Sequence, residues 1–511
     1  MLEKGKNKRF ALTTGSSFIF QIITIISGFI LPILRLKYFG SEVNGLVVSI
    51  TQFLGLISFL DLGVGQVIQA NLYKPLAEKD YGKASDILIS GKKFFRTLAL
   101  ILIFYSGALA ILYPFLDASQ FGYWYIFSLV LILSIDSFMQ YYFGISYQLL
   151  LNSDQKGYVQ YNLQIITVII NLFLSASLIV SGFGIHAVKL VTSFVYLIRP
   201  LGMWLYVKKN YIKINLNKTI NYEPIKQKWN GFAQHMASVV LNNTDVVVLT
   251  IFSSLNNVSV YAVYNLVVTG IKQLFTSLIQ GIQPILGEYW AKKDYRALNR
   301  FFGYVEWTIH TGTIFIFGCT AILIVPFVKV YTQGITDYNY INLPFGILLT
   351  AAHAAHCIRL PYNLMAIAGG KFKETQSCHV IAAILNVIIS IVMVYKFGLV
   401  GVAIGTLVAM SYQTIWLVIY LSNNLIKWDI KKFVKQCFID ILSIFIGAFI
   451  SLRIINYNLT NYNQWVILAL KVSLIWLGVI TVLNVIFNKN RFFKTINIIT
   501  KKVKNMRKTK A

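Results

Sequence analysis

Fourteen apolar windows of about 18 to 27 residues recur along this 511-residue chain, and they decide its solvent. Crossing about 30 Å of hydrocarbon takes roughly 20 apolar residues in a helix. The windows lie near 11–35, 44–69, 97–115, 124–145, 160–181, 184–206, 230–252, 259–286, 304–327, 342–366, 376–395, 399–421, 436–453 and 465–487. In lipid each spanning segment must satisfy its own backbone hydrogen bonds, so segments of this length read as helices. With 57% hydrophobic and 13% charged residues, a water-soluble version would lack the polar surface to cover itself. The first window begins with Lys4, Lys6, Lys8 and Arg9. It is too long for a signal-peptide core and lacks a small-residue cleavage site, so it is expected to remain as a helix.

The basic residues test this map, because Lys and Arg flanking short loops stay on the cytoplasmic side. With the N-terminus inside, 36 of the 46 fall in cytoplasmic segments and five, Arg35, Lys37, Lys329, Lys396 and Arg453, in external ones. Both termini are therefore expected in the cytoplasm. The net charge of +28 follows from topology and implies no nucleic-acid partner. The tail KKVKNMRKTK is expected to rest on anionic membrane lipids at about 1 kcal/mol per basic residue. Cys319, Cys357, Cys378 and Cys437 fall in helices without a CxxC pair, indicating small core residues rather than disulfides or a zinc site.

The chain matches itself at a nearly constant offset. QVIQ at 66–69 returns as QGIQ at 280–283, Lys79-Asp80-Tyr81 as Lys293-Asp294-Tyr295, and Phe183-Gly184 as Phe397-Gly398, each 214 residues on. Tyr147 and Asn171 return as Tyr362 and Asn386, 215 on. The expected fold is thus an all-α polytopic membrane protein with about fourteen transmembrane helices, as two parallel six-helix lobes plus two C-terminal helices. The boundaries follow: an N-lobe at 1–206, a cytoplasmic linker at 207–229, a C-lobe at 230–421, helices thirteen and fourteen within 422–487, and a basic tail at 488–511.

Polar side chains are costly in lipid and should face protein or water. On helix eight, Asn265, Thr269, Lys272, Thr276, Gln280 and Gln283 share an arc of about 80°. Helix seven aligns Gln234, His235, Ser238, Asn242 and Asp245 within about 100°, and helix one aligns Thr14, Ser17, Gln21, Thr24 and Arg35 within about 80°. Helix two is looser, with Ser58, Asp61, Gln66 and Gln69 over about 140°. These faces are expected to line a central cavity. On helix ten, His353, His356, Arg359 and Asn363 span about 120°, and Pro361 is expected to break the helix. That cluster forms either a cationic cavity wall or a packing device. Lys272, near mid-bilayer, contacts substrate or pairs with Asp61 or Asp245, and Arg35 faces the cavity or snorkels to the interface. Asp136, Asp440, Lys189, Arg199 and Lys471 read as structural pairs. His353 and His356 have metal-compatible spacing but no third ligand and no HExxH, so no metal site is expected.

A wet, mostly cationic groove suits an anion rich in hydroxyls, such as a sugar phosphate, with Asn242, Gln280 and Gln283 able to bond the hydroxyls. No GxxxxGK[ST] motif, DxD pair or large external loop suggests an enzyme, and no cofactor is expected. At YFGSEVNGLVVSITQFLGLISFLDLGVGQVIQ (38–69), NTDVVVLTIFSSLNNVSVYAVYN (243–265) and FGLVGVAIGTLVA (397–409), the chain resembles Wzx-type polysaccharide-unit flippases. These belong to the multidrug/oligosaccharidyl-lipid/polysaccharide exporter superfamily.

The resemblance implies a bacterial cytoplasmic (inner) membrane carrier that moves a polyprenyl-pyrophosphate-linked oligosaccharide from the inner to the outer leaflet by alternating access. The cargo would serve capsule or O-antigen assembly, with a polysaccharide polymerase as partner. Lys272, Arg359 and Arg35 would hold the pyrophosphate, and helices thirteen and fourteen would shelter the polyprenyl tail. Asp61, Asp245 and His235 are candidates for ion coupling. A lipid II-type flippase and a cation-coupled multidrug exporter of the same superfamily are the alternatives.

Overall fold

The computed structural model describes residues 2–61, 64–116, 121–212, 214, 232–280, 282–426, 429–454 and 459–493. Among these there is no strand, and the helices in chain order are α1 (Leu2–Gly55), α2 (Val64–Glu78), α3 (Tyr81–Leu116), α4 (Tyr123–Met139), α5 (Ile145–Ser153), α6 (Gly157–Val180), α7 (Ile185–Tyr196), α8 (Ile198–Asn210), α9 (Phe232–Phe252), α10 (Leu255–Gln280), α11 (Gln283–Ala291), α12 (Tyr295–Tyr331), α13 (Leu343–Ala368), α14 (Phe372–Phe397), α15 (Leu399–Asn424), α16 (Ile430–Leu452) and α17 (Tyr462–Phe487). Most of the expected linker, from 215 to 229, and most of the tail, from 494, lie outside the described residues.

Thirteen helical stretches among the described residues are long and apolar enough to cross a membrane. The first holds two crossings. At about 1.5 Å per residue the 54 residues of α1 would run about 80 Å, far beyond a bilayer, and the helix turns at Gly40 (φ 84°, ψ 174°). That backbone conformation suits a residue without Cβ, and a Cβ there would also meet Asp337 Oδ2 at 3.1 Å. Counting both arms of α1 gives fourteen spans. Two other crossings are built from pieces: α4 and α5 join through a π-helical turn at Gln140–Gly144, and α7 and α8 run on as Ile185–Asn210.

The internal repeat is written into the backbone. Lys79 (φ 58°) and Lys293 (φ 55°) both take the left-handed conformation ahead of an aspartate. The amide of Asp80 donates to Pro75 O, and that of Asp294 to Tyr289 O, 214 residues on. Asp80 Oδ1 then accepts from the Lys83 amide and Asp294 Oδ1 from the Ala297 amide, each at 3.0 Å, capping the next helix. The Lys83 amide holds the Asp80 carboxyl below its ordinary range. Farther along, Gln155 (φ 57°) answers to Gly370 (φ 69°). Inside the bundles, Ser175 donates to Asn171 and meets Thr192, while Asn386 donates to Thr406 at 3.1 Å beside Ser390. The same Asn, Ser and Thr trio thus recurs about 214 residues apart.

By contacts the chain divides into two compact units, 1–266 with 334–338, and 267–333 with 339–511. In the first unit α9 and the start of α10 pack on α1 through Asn44 to Ser259 (2.8 Å) and Ser49 to Thr250 (2.6 Å). The backbones nearly touch, since a Cβ on Gly45 would come within 1.9 Å of Leu255 O. In the second unit Trp476 of α17 is wedged against Gly318 of α12 and Gly447 of α16, and its indole N–H donates to Ser451. Pro361 does not break its helix, contrary to the sequence expectation: α13 runs through it to Ala368. Spanning helices tolerate an internal proline because surrounding helices satisfy the freed backbone groups. Of the four cysteines, Cys319, Cys357 and Cys378 are buried and Cys437 is half-buried.

Candidate functional site

The second unit gathers a cluster of basic side chains. Residues 353, 356 and 359 sit one turn apart on α13, so their side chains stack along one face. Arg359, only 7% exposed, donates through Nη1 to the sulfur of Met410 on α15 (3.7 Å) and through Nη2 to His356 Nδ1 (2.8 Å). A guanidinium has no lone pair to offer, so the imidazole nitrogen must be the acceptor. The Nε–H of Arg359 is buried without a partner among the described residues. His353 is buried beside this group. Lys272, half-buried on α10, is near enough for its charge to act on both histidines. Arg359 forms no ion pair with a described residue, so its charge is met by a sulfur and an imidazole instead of a carboxylate.

Carboxylates of this unit are engaged elsewhere. Tyr362 donates its hydroxyl to buried Glu306. His310 Nδ1 lies 2.5 Å from Asp440 Oδ2, joining α12 to α16, and Gln436 donates to Asp440 Oδ1 at 3.0 Å. Asp440 was expected in a structural pair, and its partner is His310, a residue with no local sequence signal.

In the first unit a polar cavity of about 450 Å³ is lined by Gln69, Asp136, Gln140, Gln148, Asn152 and His235, among others. The π turn widens α4 at this level and carries Gln140 into the lining. His235 at the start of α9 also bonds the carbonyl of Ser58 through Nε2 at 3.0 Å. Asp136 lies within the field of Arg199, whose guanidinium stacks 4.3 Å from the Tyr196 ring. Sequence reading places Gln69 and His235 on polar faces but draws no face on the window at 124–145, which holds Gln140, and Gln148 and Asn152 lie beyond that window on a helix that runs on to Ser153.

The remaining expected residues are spread out. Asp245 is buried and accepts from the Tyr261 hydroxyl at 2.9 Å. Asn242 is exposed, and its backbone carbonyl accepts from Gln52 at 3.2 Å. Arg35 is half-buried on α1, with Lys189 of α7 within its field. Gln283 is half-buried at the start of α11. The side chains of Asp61 and Gln280 lie outside the described ones.

No family model matches the chain. An uncharacterized membrane protein of Methanocaldococcus jannaschii, MJ1068, is 23% identical over 436 residues, covering 80% of this chain and 83% of its own. Among solved structures, lipid II flippase MurJ in an inward closed conformation aligns with a TM-score of 0.70 at 18% identity, covering 94% of this chain and 99% of its own. An inward-facing multidrug resistance MATE family transporter of the MOP superfamily aligns at 0.59 and 16% identity, over 78% of this chain and 94% of its own. The eukaryotic MATE transporter AtDTX14 aligns at 0.59 and 14% identity, over 84% and 98%. The chain therefore has the fold shared by these flippase and transporter structures.

Proposed function

We propose that the chain is a flippase that carries a polyprenyl-pyrophosphate-linked oligosaccharide from the inner to the outer leaflet of a bacterial cytoplasmic membrane, by alternating access, for capsule or O-antigen assembly. The observation that carries this reading is the basic cluster of Lys272, His353, His356 and Arg359, in which the buried guanidinium is met by no carboxylate among the described residues. A buried cation without a counter-charge is costly, and an anion in transit would supply one. Pyrophosphate oxygens are far better acceptors than the sulfur and imidazole that Arg359 now uses. Asn242 and Gln283 offer amides for sugar hydroxyls, and the apolar residues exposed on α16 and α17, among them Phe445 and Leu474, suit a polyprenyl chain.

Moving a net anion out of an inside-negative cell gains about 2.3 kcal/mol per charge per 100 mV, so no nucleotide is required. Ion coupling through Asp61, Asp245 or His235 is a further part of this reading. A multidrug exporter would favour an acidic pocket for cationic drugs. The carboxylate lining the cavity of the first unit, Asp136, instead sits in the field of Arg199.

Deleting the gene tests the proposal. Lipid-linked sugar repeats stranded on the cytoplasmic leaflet are the expected result. Unchanged surface polysaccharide together with sensitivity to cationic drugs would overturn it.

A further inference from the structure

A second basic site stands apart from the cargo cluster, where α16 begins and α17 ends. A cleft of about 450 Å³ opens there, and its lining includes Lys432, Lys435, Lys489 and Arg491 together with Gln436 and Asn488. No Asp or Glu is among the described residues that line it. The cleft is built rather than incidental. Lys435 Nζ donates to the carbonyl of Phe487 at 3.2 Å, at the C-terminal end of α17. Asn488 donates to Gln436 Oε1 at 3.3 Å, and Gln436, itself buried, donates on to Asp440 inside the bundle. The floor is thereby tied to the core.

Position narrows the ligand. The apolar spans Ile430–Leu452 and Tyr462–Phe487 both end at this cleft, which sets it at the boundary between hydrocarbon and water. Immediately beside it Val434, Phe438, Val482 and Ile486 are all exposed. A small water-soluble anion would use the cations and leave that apolar flank unused. An amphiphile with an anionic phosphate head and acyl tails would engage both.

We propose that this cleft binds one anionic glycerophospholipid of the surrounding membrane, its headgroup phosphate among Lys435, Lys489 and Arg491 and its tails along α16 and α17. The site holds whatever the cargo is. A retained lipid would brace the ends of α16 and α17 against each other.

The test uses the full chain in detergent, titrated with phosphatidylglycerol or phosphatidylcholine and read by native mass spectrometry. One retained phosphatidylglycerol is expected, with phosphatidylcholine binding at least about tenfold more weakly. K435Q/K489Q/R491Q should weaken phosphatidylglycerol binding on the order of 100-fold, at about fivefold per basic residue. Lys435→Arg, which keeps the charge, should bind like the wild type, and the triple variant is compared only where its thermal unfolding matches the wild type. K292Q/K293Q/R296Q, which removes the same charge at the α11–α12 junction, should leave binding unchanged. Equal loss in that control, equal retention of phosphatidylcholine, or displacement of the lipid by inorganic phosphate at matched concentration would each overturn the proposal.

Discussion

Replacing Arg359 with methionine separates a cargo-binding role from a structural one, because the two roles predict stability changes of different size. Arg359 is 7% exposed and its two bonds go to Met410 sulfur at 3.7 Å and His356 at 2.8 Å. Exchanging an uncompensated buried charge for an apolar side chain of similar length is worth about 1–4 kcal/mol. Against this stands the loss of one good hydrogen bond, about 1.5–3 kcal/mol where the donor is charged, the long sulfur contact adding little. The two terms nearly cancel, so the net expectation for Arg359→Met is a stability within about 2 kcal/mol of the wild type without ligand. Binding of a polyprenyl pyrophosphate should meanwhile weaken by about 2–5 kcal/mol, or roughly 30- to 4,000-fold. Thermal unfolding of the purified protein in detergent reads the first quantity and titration with a fluorescent polyprenyl pyrophosphate the second. A variant destabilised by about 3–5 kcal/mol, the usual result of breaking a buried pair, would refute the reasoning.

Two further substitutions probe the packing of α16 and α17 on α12. Gly318→Ala would put a Cβ within 2.0 Å of Trp476 Cζ3, so a loss of about 1–3 kcal/mol in thermal unfolding is expected, with partial rescue by Trp476→Leu. Asp440→Ala removes the partner of His310, which is fully buried, and should destabilise by about 3–5 kcal/mol in the same assay, whereas His310→Leu/Asp440→Leu should recover most of that loss.

The spans were legible because lipid sets their length: α13, α14 and α15 lie within a few residues of the windows at 342–366, 376–395 and 399–421. Hydropathy alone misses what runs beyond the hydrocarbon. It placed a helix at 304–327 where α12 covers Tyr295–Tyr331, since the first turns are polar and capped by Asp294. The repeat was legible in Lys79-Asp80-Tyr81 and its copy because a left-handed residue followed by an N-cap tolerates few alternatives. In the candidate site, the helical spacing of His353, His356 and Arg359 carried their common face directly. Pairings distant in sequence were not visible: His310 meets Asp440 across 130 residues, and nothing near either one announces the other. The lining of the first unit's cavity was hidden for a different reason, since Gln148 and Asn152 lie beyond the apolar window at 124–145, where the helix runs on through the π turn at Gln140–Gly144 to Ser153.

The most direct test of the cationic cluster as the carrier of a lipid-linked sugar pyrophosphate is transport by the purified chain in sealed vesicles. A fluorescent polyprenyl-pyrophosphate oligosaccharide is placed in the inner leaflet, a membrane potential is imposed, and the label reaching the outer leaflet is quenched by an impermeant reductant. Quenching that outpaces empty vesicles, rises with the potential and disappears in Lys272→Ala despite normal insertion is the expected result. Quenching no faster than empty vesicles, or equally fast in Lys272→Ala, would contradict it.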